Sequence, residues 1–333
     1  MRGPAMTDVA RLAGVSHQTV SRVLNGHPNV REQTRLRVQA AIAELGYRPN
    51  RAARTLVTGR SQVIGVVAQN TTLYGPASLL AALEQTAAEE GFAVSVGSVR
   101  NLDHRSISEV VERHLAHRVA GIVVIAPVES AGEALERLPQ DVPLVTVDGD
   151  PRRPMPLVTV DQAAGAREAT RHLLDAGHRT VWHVSGPSDW FDSAGRIEGW
   201  RDALLTAGAD IPPLMPADWS ASSGYRCGQV LARMPDVTAV FTANDHLALG
   251  VLRALHEYGR RVPEEISLVG FDDVPEAAFF LPPLTTIRPD FDAVAQASLS
   301  LLLAQIESGI GGPLRQTIAP TLVARESVAA PQR

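Results

Sequence analysis

Residues 8–25 read DVARLAGVSHQTVSRVLN, a stretch that predicts two short helices joined by a tight turn. Thr7 or Asp8 is expected to cap the first helix, because their side-chain oxygens can accept hydrogen bonds from free backbone N–H groups. Gly14 allows the turn, and Ser16 is the expected N-cap of the second helix, which runs to the end of the stretch. The apolar positions recur at helical spacing and form one face of each helix: Val9, Ala10 and Ala13, then Val20, Val23 and Leu24.

The second helix turns polar side chains to the opposite face. Gln18 can pair with adenine through two hydrogen bonds and Arg22 can pair with guanine, so both are expected to read bases in a major groove. Thr19, Ser21 and Asn25 are expected to hold phosphates. The pattern predicts a helix-turn-helix whose second helix contacts DNA.

The charge of the chain also sets its N-terminal segment apart from the rest. Residues 1–60 hold ten Arg against three acidic residues, a net charge of +7, whereas the other 273 residues hold 21 Arg against 33 acidic residues, a net of −12. A basic helical head on an acidic body suggests that the head alone binds a polyanion. DNA is therefore the leading hypothesis for its partner.

A third helix is predicted from about Arg31 to Leu45 and should end at Gly46, which suits a C-terminal cap. Its apolar side chains complete a small core: Val38, Ala41, Ile42 and Leu45. The alternative is a surface pair of helices with no role in DNA binding, which the basic charge of the segment disfavours.

Residues 50–59, NRAARTLVTG, are compatible with a helix of only about two turns, and so short a helix is marginal in water by itself. The segment is therefore expected to fold only when something holds it. Leu56 has no obvious partner within it. Either Leu56 is an incidental residue of a linker, or it enters the minor groove as a wedge when the segment forms a hinge helix on DNA. The residues alone leave both interpretations open.

From residue 61 onward, short β-branched runs alternate with helical stretches rich in Ala and Leu. The runs are 63–68, 93–98, 121–126, 144–147, 180–185, 237–242 and 266–270, and helices between them should stop at Gly91, Gly177, Gly208 and Gly259. The alternation predicts an α/β fold with doubly wound parallel sheets, in two lobes like those of periplasmic binding proteins. Ligands then bind in the cleft between the lobes, at the carboxyl ends of the strands.

These patterns set the expected domain limits. Residues 1–49 form the helix-turn-helix domain, 50–60 the hinge helix, and 61–333 a two-lobed core for sugar binding and dimerisation. The N-lobe takes about 61–160 and 290–320, and the C-lobe about 161–289. The proline-rich stretches Asp150–Pro156 and Pro282–Pro289 are the expected crossovers between the lobes.

Polar side chains stand where predicted strands end. They are Asp148, the pair Asn244-Asp245 and the pair Asp272-Asp273, with Arg196 and Trp219 in the segments between. Such groups suit a sugar, whose hydroxyls need donors and acceptors and whose apolar face stacks on an aromatic ring. The alternative is that an Asp at a strand end only caps the next helix, which we favour for Asp245 and Asp273.

The run Asp8–Asn25, the Asn50–Leu56 segment and several later motifs resemble the lactose-repressor (LacI/GalR) family of bacterial transcription regulators, over nearly the whole chain. The resemblance implies that His17, Gln18 and Arg22 read bases. A family relative has Tyr at the position of His17, so part of the operator preference should differ. The resemblance also favours the hinge helix, with Leu56 in the minor groove beside Asn50, Arg51 and Ala53.

The resemblance further implies a ligand site. Its polar residues are Asp148, Arg196, Asn244 and Asp272, and its apolar wall is Leu73, Pro76, Leu79, Trp219 and Phe291. The chain departs from its relative within this pocket: Ile125 replaces an Asn, Pro289 a Gln, Val160 an aromatic residue and His246 a Gln. At Ile125 and Pro289 an amide is lost without a hydrogen-bonding side chain in its place, and one wall is smaller, so the expected mono- or disaccharide need not be a β-galactoside.

Other classes of function fit less well. An enzyme needs convergent groups, but adjacent residues such as Asp272 and Asp273 point in opposite directions, and the chain has no G-x-S-x-G or HExxH motif and no Gly-rich phosphate loop. A periplasmic sugar receptor would share the body, but the chain shows no secretory signal and carries the head. Within the family, a corepressor-type regulator remains the alternative to a sugar-induced repressor.

The expected protein is thus a cytoplasmic homodimer that binds a palindromic operator and is released by a sugar. No cofactor, metal or membrane is expected, because Cys227 is the one cysteine and no run approaches the roughly 18 apolar residues of a membrane span. A dimer is expected because the chain ends soon after Glu326, without the leucine heptads of a tetrameric family member.

Overall fold

The computed structural model describes residues 4–24, 27–47, 61–69, 72–100, 102–136, 142–309 and 314–331, apart from the side chains of residues 133 and 308. The chain divides into two compact units, Met1–Gln62 and Val63–Arg333. In their described residues, the first unit is helical and the second is built on two parallel sheets.

The helical unit comprises α1 (Met6–Ala13), α2 (His17–Leu24) and α3 (Glu32–Leu45). The prediction that Thr7 or Asp8 caps α1 is wrong, because the helix starts earlier and Ala5 occupies the cap position. Asp8 lies in the first turn and accepts a hydrogen bond from the Ala5 N–H at 2.9 Å, where the helix dipole favours an acidic side chain.

Ser16 caps α2 as predicted, because its Oγ accepts a hydrogen bond from the Thr19 N–H at 3.2 Å. Gly14 adopts a φ of 64° in the turn between α1 and α2, a conformation that glycine takes without strain. The three helices enclose a small apolar core, whose buried members are Val9, Ala10, Ala13, Val20, Val23, Val38, Ala41 and Tyr47.

The larger unit begins with β1 (Val63–Gln69), α4 (Tyr74–Glu89), β2 (Ala93–Val99), α5 (His104–Ala116), β3 (Gly121–Ile125), α6 (Glu129–Glu136), β4 (Leu144–Val147) and β5 (Leu157–Val160). It continues with α7 (Gln162–Asp175), β6 (Trp182–Ser185), α8 (Phe191–Thr206), β7 (Met215–Pro216), α9 (Ala221–Leu231), β8 (Ala239–Thr242) and α10 (Asp245–Glu257). The last elements are β9 (Ser267–Phe271), a 3-10 helix (Pro275–Phe279), β10 (Thr285–Arg288), α11 (Phe291–Ser308), β11 (Arg315–Ile318) and β12 (Thr321–Val323).

Two six-stranded sheets define two lobes. The N-lobe sheet has the order β11-β5-β4-β3-β1-β2, and the C-lobe sheet has the order β12-β10-β9-β8-β6-β7. All pairs are parallel except β10 with β12. Apolar clusters cover both faces of each sheet, as parallel sheets require. The helices α4, α7, α8 and α10 each end beside a glycine with positive φ, as predicted: Gly91, Gly177, Gly208 and Gly259.

One of the two predicted crossovers is wrong. Asp150–Pro156 joins β4 to β5, which are neighbours in the N-lobe sheet. Its prolines mark a turn, in which Asp150 accepts a hydrogen bond from the Arg152 N–H at 2.9 Å, and a turn need not change sheets. The stretch Pro282–Pro289 contains β10, which belongs to the C-lobe sheet. The chain passes to the N-lobe only where this stretch ends, after β10. Further crossovers follow β5 and β11.

No helix in the described part of the chain is both long enough and apolar enough to cross a membrane.

Candidate functional sites

The helix α2 presents polar side chains to solvent. The exposed ones are those predicted to read bases: His17, Gln18 and Arg22. Thr19 and Ser21 are half-buried, and the Thr19 Oγ1 lies 2.9 Å from the Ser16 Oγ at the start of the helix. The apolar face of α2 is closed by α1 and α3, so the exposed face can meet a groove without disturbing the core.

Other predicted DNA contacts lie outside the described residues. These are Asn25 and the hinge residues Asn50, Arg51, Ala53 and Leu56. Their assigned roles therefore stay predictions.

In the larger unit, Arg196 of α8 is the central cation of a buried polar cluster. Its side chain is 5 % exposed, and its guanidinium lies 3.7 Å from the centre of the Phe271 ring. The Nε donates to the Gln162 Oε1 at 2.9 Å, and Nη1 donates to the Ala243 carbonyl. The Nη2 donates to the Asp272 Oδ1 at 3.5 Å. The fork of Arg196 is thus fixed by strands and helices of the C-lobe alone.

Asp272 and Asp273 follow β9 and point to different partners. Asp272 lies beside Arg196, whereas Asp273 accepts hydrogen bonds at 2.6 Å from both Arg288 and Arg325. Burial raises the pKa of Asp272 to about 6, and Arg196 opposes the shift. Both residues have positive φ, 103° and 50°, a conformation that costs energy for residues other than glycine and is common at functional sites.

Asp148, at the end of β4, brings an N-lobe carboxylate into the cluster. Its Oδ1 accepts hydrogen bonds from the Thr159 Oγ1 at 3.1 Å and from the Val160 N–H at 3.4 Å. Burial, followed by repulsion from Asp192, raises the pKa of Asp148 to about 7. Burial also raises the pKa of Asp192, in the first turn of α8, and Arg196 opposes that shift. The cluster therefore holds carboxylates from both lobes.

Asn244 is the N-cap of α10, a role that we had assigned to its neighbour. Its Oδ1 accepts a hydrogen bond from the Leu247 N–H at 2.8 Å, and its Nδ2 donates to the Trp219 carbonyl at 3.2 Å. The prediction that Asp245 and Asp273 cap helices is wrong. Asp245 accepts hydrogen bonds from the Val274 N–H at 2.9 Å and the Thr286 Oγ1 at 2.6 Å, so it ties the start of α10 to β10 and to the loop after β9.

These groups meet at a small pocket between the lobes. Six predicted residues line it: Leu73, Pro76, Arg196, Trp219, Asn244 and Asp272. Its free volume is about 30 Å³, so a sugar enters only if the surrounding groups move apart. A larger cavity of about 860 Å³ adjoins it, since Tyr74 and Asp272 line both, and Phe291 and Pro289 line the larger one.

Five other predicted residues line neither cavity. One of them is Asp148, which lies at the end of β4 outside both linings. Leu79, Ile125 and Val160 are buried in the N-lobe core, with exposures of 1 %, 2 % and 3 %, and His246 is half-buried on α10. These residues were assigned from the resemblance, and their contact with a ligand stays a prediction.

Sequence reasoning missed Tyr74, Trp190 and Asp192. The rings of Trp190 and Trp219 pack edge to face, with their centroids 5.6 Å apart. The rings of Tyr74 and Phe291 have the same arrangement, with their centroids 6.3 Å apart. Trp190 and Asp192 follow β6 at the carboxyl edge of the C-lobe sheet. The strand-end rule that selected Asp148 could have found them, because parallel strands bring their carboxyl ends to one edge.

Comparison with known proteins adds to this geometry. Residues 5–50 match the model of the lacI family of bacterial regulatory proteins, and residues 170–328 match that of a periplasmic binding protein-like domain. The chain is 35 % identical over 335 residues to the lactose operon repressor of Escherichia coli (strain K12), covering 99 % of this chain and 92 % of that one. The chain belongs to the lacI family. Another member, the regulator CelR of Thermobifida fusca, is 34 % identical and covers 98 % of each chain.

Solved structures of lacI-family proteins share the fold. The lac repressor dimer bound to operator and the anti-inducer ONPF has a TM-score of 0.89 at 34 % identity, covering 99 % of this chain and 100 % of that one. The complex of CelR with cellobiose has a TM-score of 0.72 at 31 % identity, covering 97 % and 99 %. The predicted architecture, a helix-turn-helix head with a two-lobed doubly wound core, is therefore confirmed.

Proposed function

We propose that this regulator is a transcriptional repressor that binds a palindromic operator as a homodimer and is released by a small sugar. The observation that carries the proposal is the pocket, which is lined by Leu73 and Pro76 from the N-lobe and by Arg196 and Asp272 from the C-lobe. A ligand that touches both lobes loses or gains contacts when the lobes change orientation. It can therefore bind one conformation more tightly and shift the population towards it.

The chemistry of the pocket supports a sugar. Arg196 and the Trp219 indole supply donors, the carboxylates Asp148 and Asp272 supply acceptors, and Trp190 adds a second aromatic surface. Sugars present hydroxyls that both donate and accept, together with an apolar ring face. Two relatives bind such molecules in their solved structures: one lac repressor complex contains ONPG and the CelR complex contains cellobiose.

We propose that α2 contacts the operator and that His17, Gln18 and Arg22 read its bases. We also propose that residues 50–60 form a hinge helix that places Leu56 in the minor groove. The solved lac repressor dimer is bound to its operator, which supports the same arrangement for a chain that resembles it over its full length. The proposed site of action is the cytoplasm, where a bacterial operator lies.

Dimer formation is proposed to use exposed apolar side chains of the C-lobe. Phe279 and Leu281 are 85 % and 91 % exposed, and large apolar side chains so open to water often mark an interface between proteins. The double variant Phe279→Asp and Leu281→Asp should shift the protein from dimer to monomer in light scattering. A tetramer of the wild-type protein would contradict the proposed dimer, and a variant that stays dimeric would contradict the proposed interface.

The proposal assigns no reaction to the cleft. Asp273 is held by Arg288 and Arg325, so it does not face Asp272 as the second member of a catalytic pair. No group of His, Cys, Asp and Glu side chains among the described residues could hold a metal ion.

The test has two stages. Selection of DNA fragments by the full-length protein should give a palindromic site, and a screen of mono- and disaccharides by thermal shift should give a ligand. A ligand at 100 times its dissociation constant adds about 2.7 kcal/mol to the free energy of unfolding. That sugar should then release the selected DNA in a fluorescence anisotropy titration. A sugar that tightens DNA binding would show a corepressor instead.

A further inference from the structure

In the described structure, the ligand pocket and its surroundings hold more carboxyl groups than the guanidinium of Arg196 pairs with. Asp192 and Asp272 line it together with the guanidinium of Arg196, and Asp148 follows β4 on the N-lobe side. Three of the five N–H donors of Arg196 are engaged, with Gln162, the Ala243 carbonyl and Asp272. Asp272 therefore has an ion pair with Arg196, and the other two carboxylates have no ion pair in the part of the chain that the structure describes.

Asp148 and Asp192 oppose each other from different lobes. Asp148 follows β4 of the N-lobe and Asp192 lies in the first turn of α8 in the C-lobe. The loop after β3 joins the segments that carry them. The Ala126 N–H donates to the Val147 carbonyl, next to Asp148, at 3.0 Å, and the Phe191 N–H, next to Asp192, donates to the Pro127 carbonyl at 2.8 Å. In agreement with this contact, the Asp192 charge raises the pKa of Asp148. Neither has an ion pair with an Arg side chain within 4.0 Å in the described structure. Two carboxylates so placed are stabilised by a cation between them.

A second, independent feature also points to a ligand. Trp219 lines the pocket and is 5 % exposed, and its Nε1 has no hydrogen-bond partner in the described part of the chain. A buried indole N–H normally finds an acceptor. The Trp219 ring packs directly on Gly186, where a Cβ would lie only 2.3 Å from the ring, so the absence of a side chain at Gly186 makes room for the indole. The pocket thus offers an unused donor and two unbalanced carboxylates.

A divalent metal ion does not fit these carboxylates, because no set of three or more His, Cys, Asp or Glu side chains in the described residues has a metal-binding arrangement. The cation must instead be part of a larger molecule. An ammonium group offers three hydrogen-bond donors, so it can bond to two carboxylates at once. It also gains from the aromatic faces of Trp190 and Trp219.

We propose that the effector is an amino sugar whose ammonium group binds between Asp148 and Asp192. Its hydroxyls bind Arg196, Asp272 and the Trp219 N–H, and its ring packs on the Trp190 and Trp219 pair. Because the ammonium joins carboxylates of the two lobes, it also supplies a contact that depends on how the lobes are oriented. This inference rests on the proposed function, in which the same pocket binds a sugar.

The test compares sugars that differ in one group. Calorimetry of the full-length protein at pH 7 uses D-glucosamine, N-acetyl-D-glucosamine and D-glucose, and the matching three compounds of the galactose series. We expect one free amine to bind at least about tenfold more tightly than both its neutral parent and its N-acetyl form, a difference of about 1.4 kcal/mol. That amine should also release operator DNA at the lowest concentration of its series.

Asp192→Asn tests the assignment of the ammonium site. The variant keeps the size of the side chain and removes its charge, so the preference for the amine over the neutral sugar should fall by about tenfold or more. Asp175→Asn, which removes a carboxylate at the exposed end of α7, is the matched control and should keep the preference. An amine preference that Asp192→Asn leaves intact would overturn the assignment.

The outcomes separate this inference from the proposed function. If a neutral or N-acetylated sugar binds as tightly as every free amine and releases the operator, the amino-sugar inference is wrong and the proposed function stands. If no sugar of any kind binds or releases the operator, both are wrong.

Discussion

The DNA-binding head and the ligand pocket place their functional side chains in opposite environments. On α2, His17, Gln18 and Arg22 stand exposed on one face of a short helix whose other face forms the core. In the pocket, Arg196 and Asp272 are buried, and their positions depend on residues far apart in sequence. The head needs only a correct helix, whereas the pocket needs a network of compensating charges. Loss of the buried cation Arg196 should therefore cost stability as well as binding, whereas loss of a base-reading side chain on the exposed face of α2 should cost binding alone.

The largest effect is expected for Arg196→Ala. The substitution leaves Asp272 buried without its partner and removes the cation that opposes the raised pKa values of Asp148 and Asp192. Removal of one member of a buried ion pair typically costs about 3–5 kcal/mol. Urea unfolding of the larger unit should show a loss of this order, and sugar should no longer release the operator.

The control for that variant is Arg167→Ala. Arg167 pairs with Asp202 at 2.9 Å, but both side chains are about half exposed, so the change should stay within about 0.5 kcal/mol. Equal losses for the two variants would remove the contrast between a buried and an exposed ion pair.

The contrast also explains what the sequence could and could not predict. The helix-turn-helix followed from apolar spacing, Gly14 and Ser16, which are local signals. The strand ends pointed to Asp148, Asn244 and Asp272, but a strand end does not tell which of two adjacent residues turns its side chain into the pocket. Asn244 rather than Asp245 caps α10, because Asp245 finds partners on β10 and in the loop after β9, and such partners are visible only in three dimensions.

Asp192 and Trp190 were missed for a related reason. They precede Arg196 on α8, and their importance comes from Asp148 and Trp219, which lie on other elements of the chain. Asp148, Trp219 and Asp272 also have positive φ values. The spacing of residues in the sequence does not predict such a strained backbone in a residue other than glycine, so only the folded structure shows it.

The buried carboxyl group of Asp148 should also make the free energy of unfolding of the larger unit depend on pH. The pKa of Asp148 rises from its ordinary value of 3.8 to about 7 through burial and the charge of Asp192. Between these values the folded state binds more protons than the unfolded state, so the free energy of unfolding falls as pH rises from about 4 to about 7.

Asp148→Asn should therefore flatten the pH dependence of the larger unit and make it more stable than wild type at pH 8, as measured by urea unfolding at several pH values. The amide oxygen can still accept the hydrogen bond from Thr159, so the contact itself is kept. Asp175→Asn should follow the wild-type curve. If the slope of Asp148→Asn also equals that of wild type, Asp148 is not the source of the pH dependence.

A smaller effect is expected for Arg22→Ala in the head. Loss of a bidentate contact to a guanine should weaken operator binding by about 1–3 kcal/mol and relax the preference at one base pair, with no change in unfolding. Affinity should be measured by fluorescence anisotropy on an operator and on its single-base variants. If all sequences weaken equally, Arg22 contacts phosphate.

The smallest effect is expected for Ser16→Ala, which removes the N-cap of α2. The Ser16 Oγ accepts the hydrogen bond of the Thr19 N–H, and loss of such a cap costs about 1 kcal/mol. Hydrogen exchange of the full-length protein should show α2 amides exchanging roughly fivefold faster, with the pocket unchanged. Thr7→Ala is the matched control, because Thr7 is exposed inside α1 and Ala5 holds the cap position there. The two substitutions remove the same kind of hydroxyl, so a faster exchange only in Ser16→Ala would show that the cap itself holds the start of the recognition helix. Equal exchange in both variants would mean that packing of Val20 and Val23 against α1 and α3 fixes α2 without help from its cap.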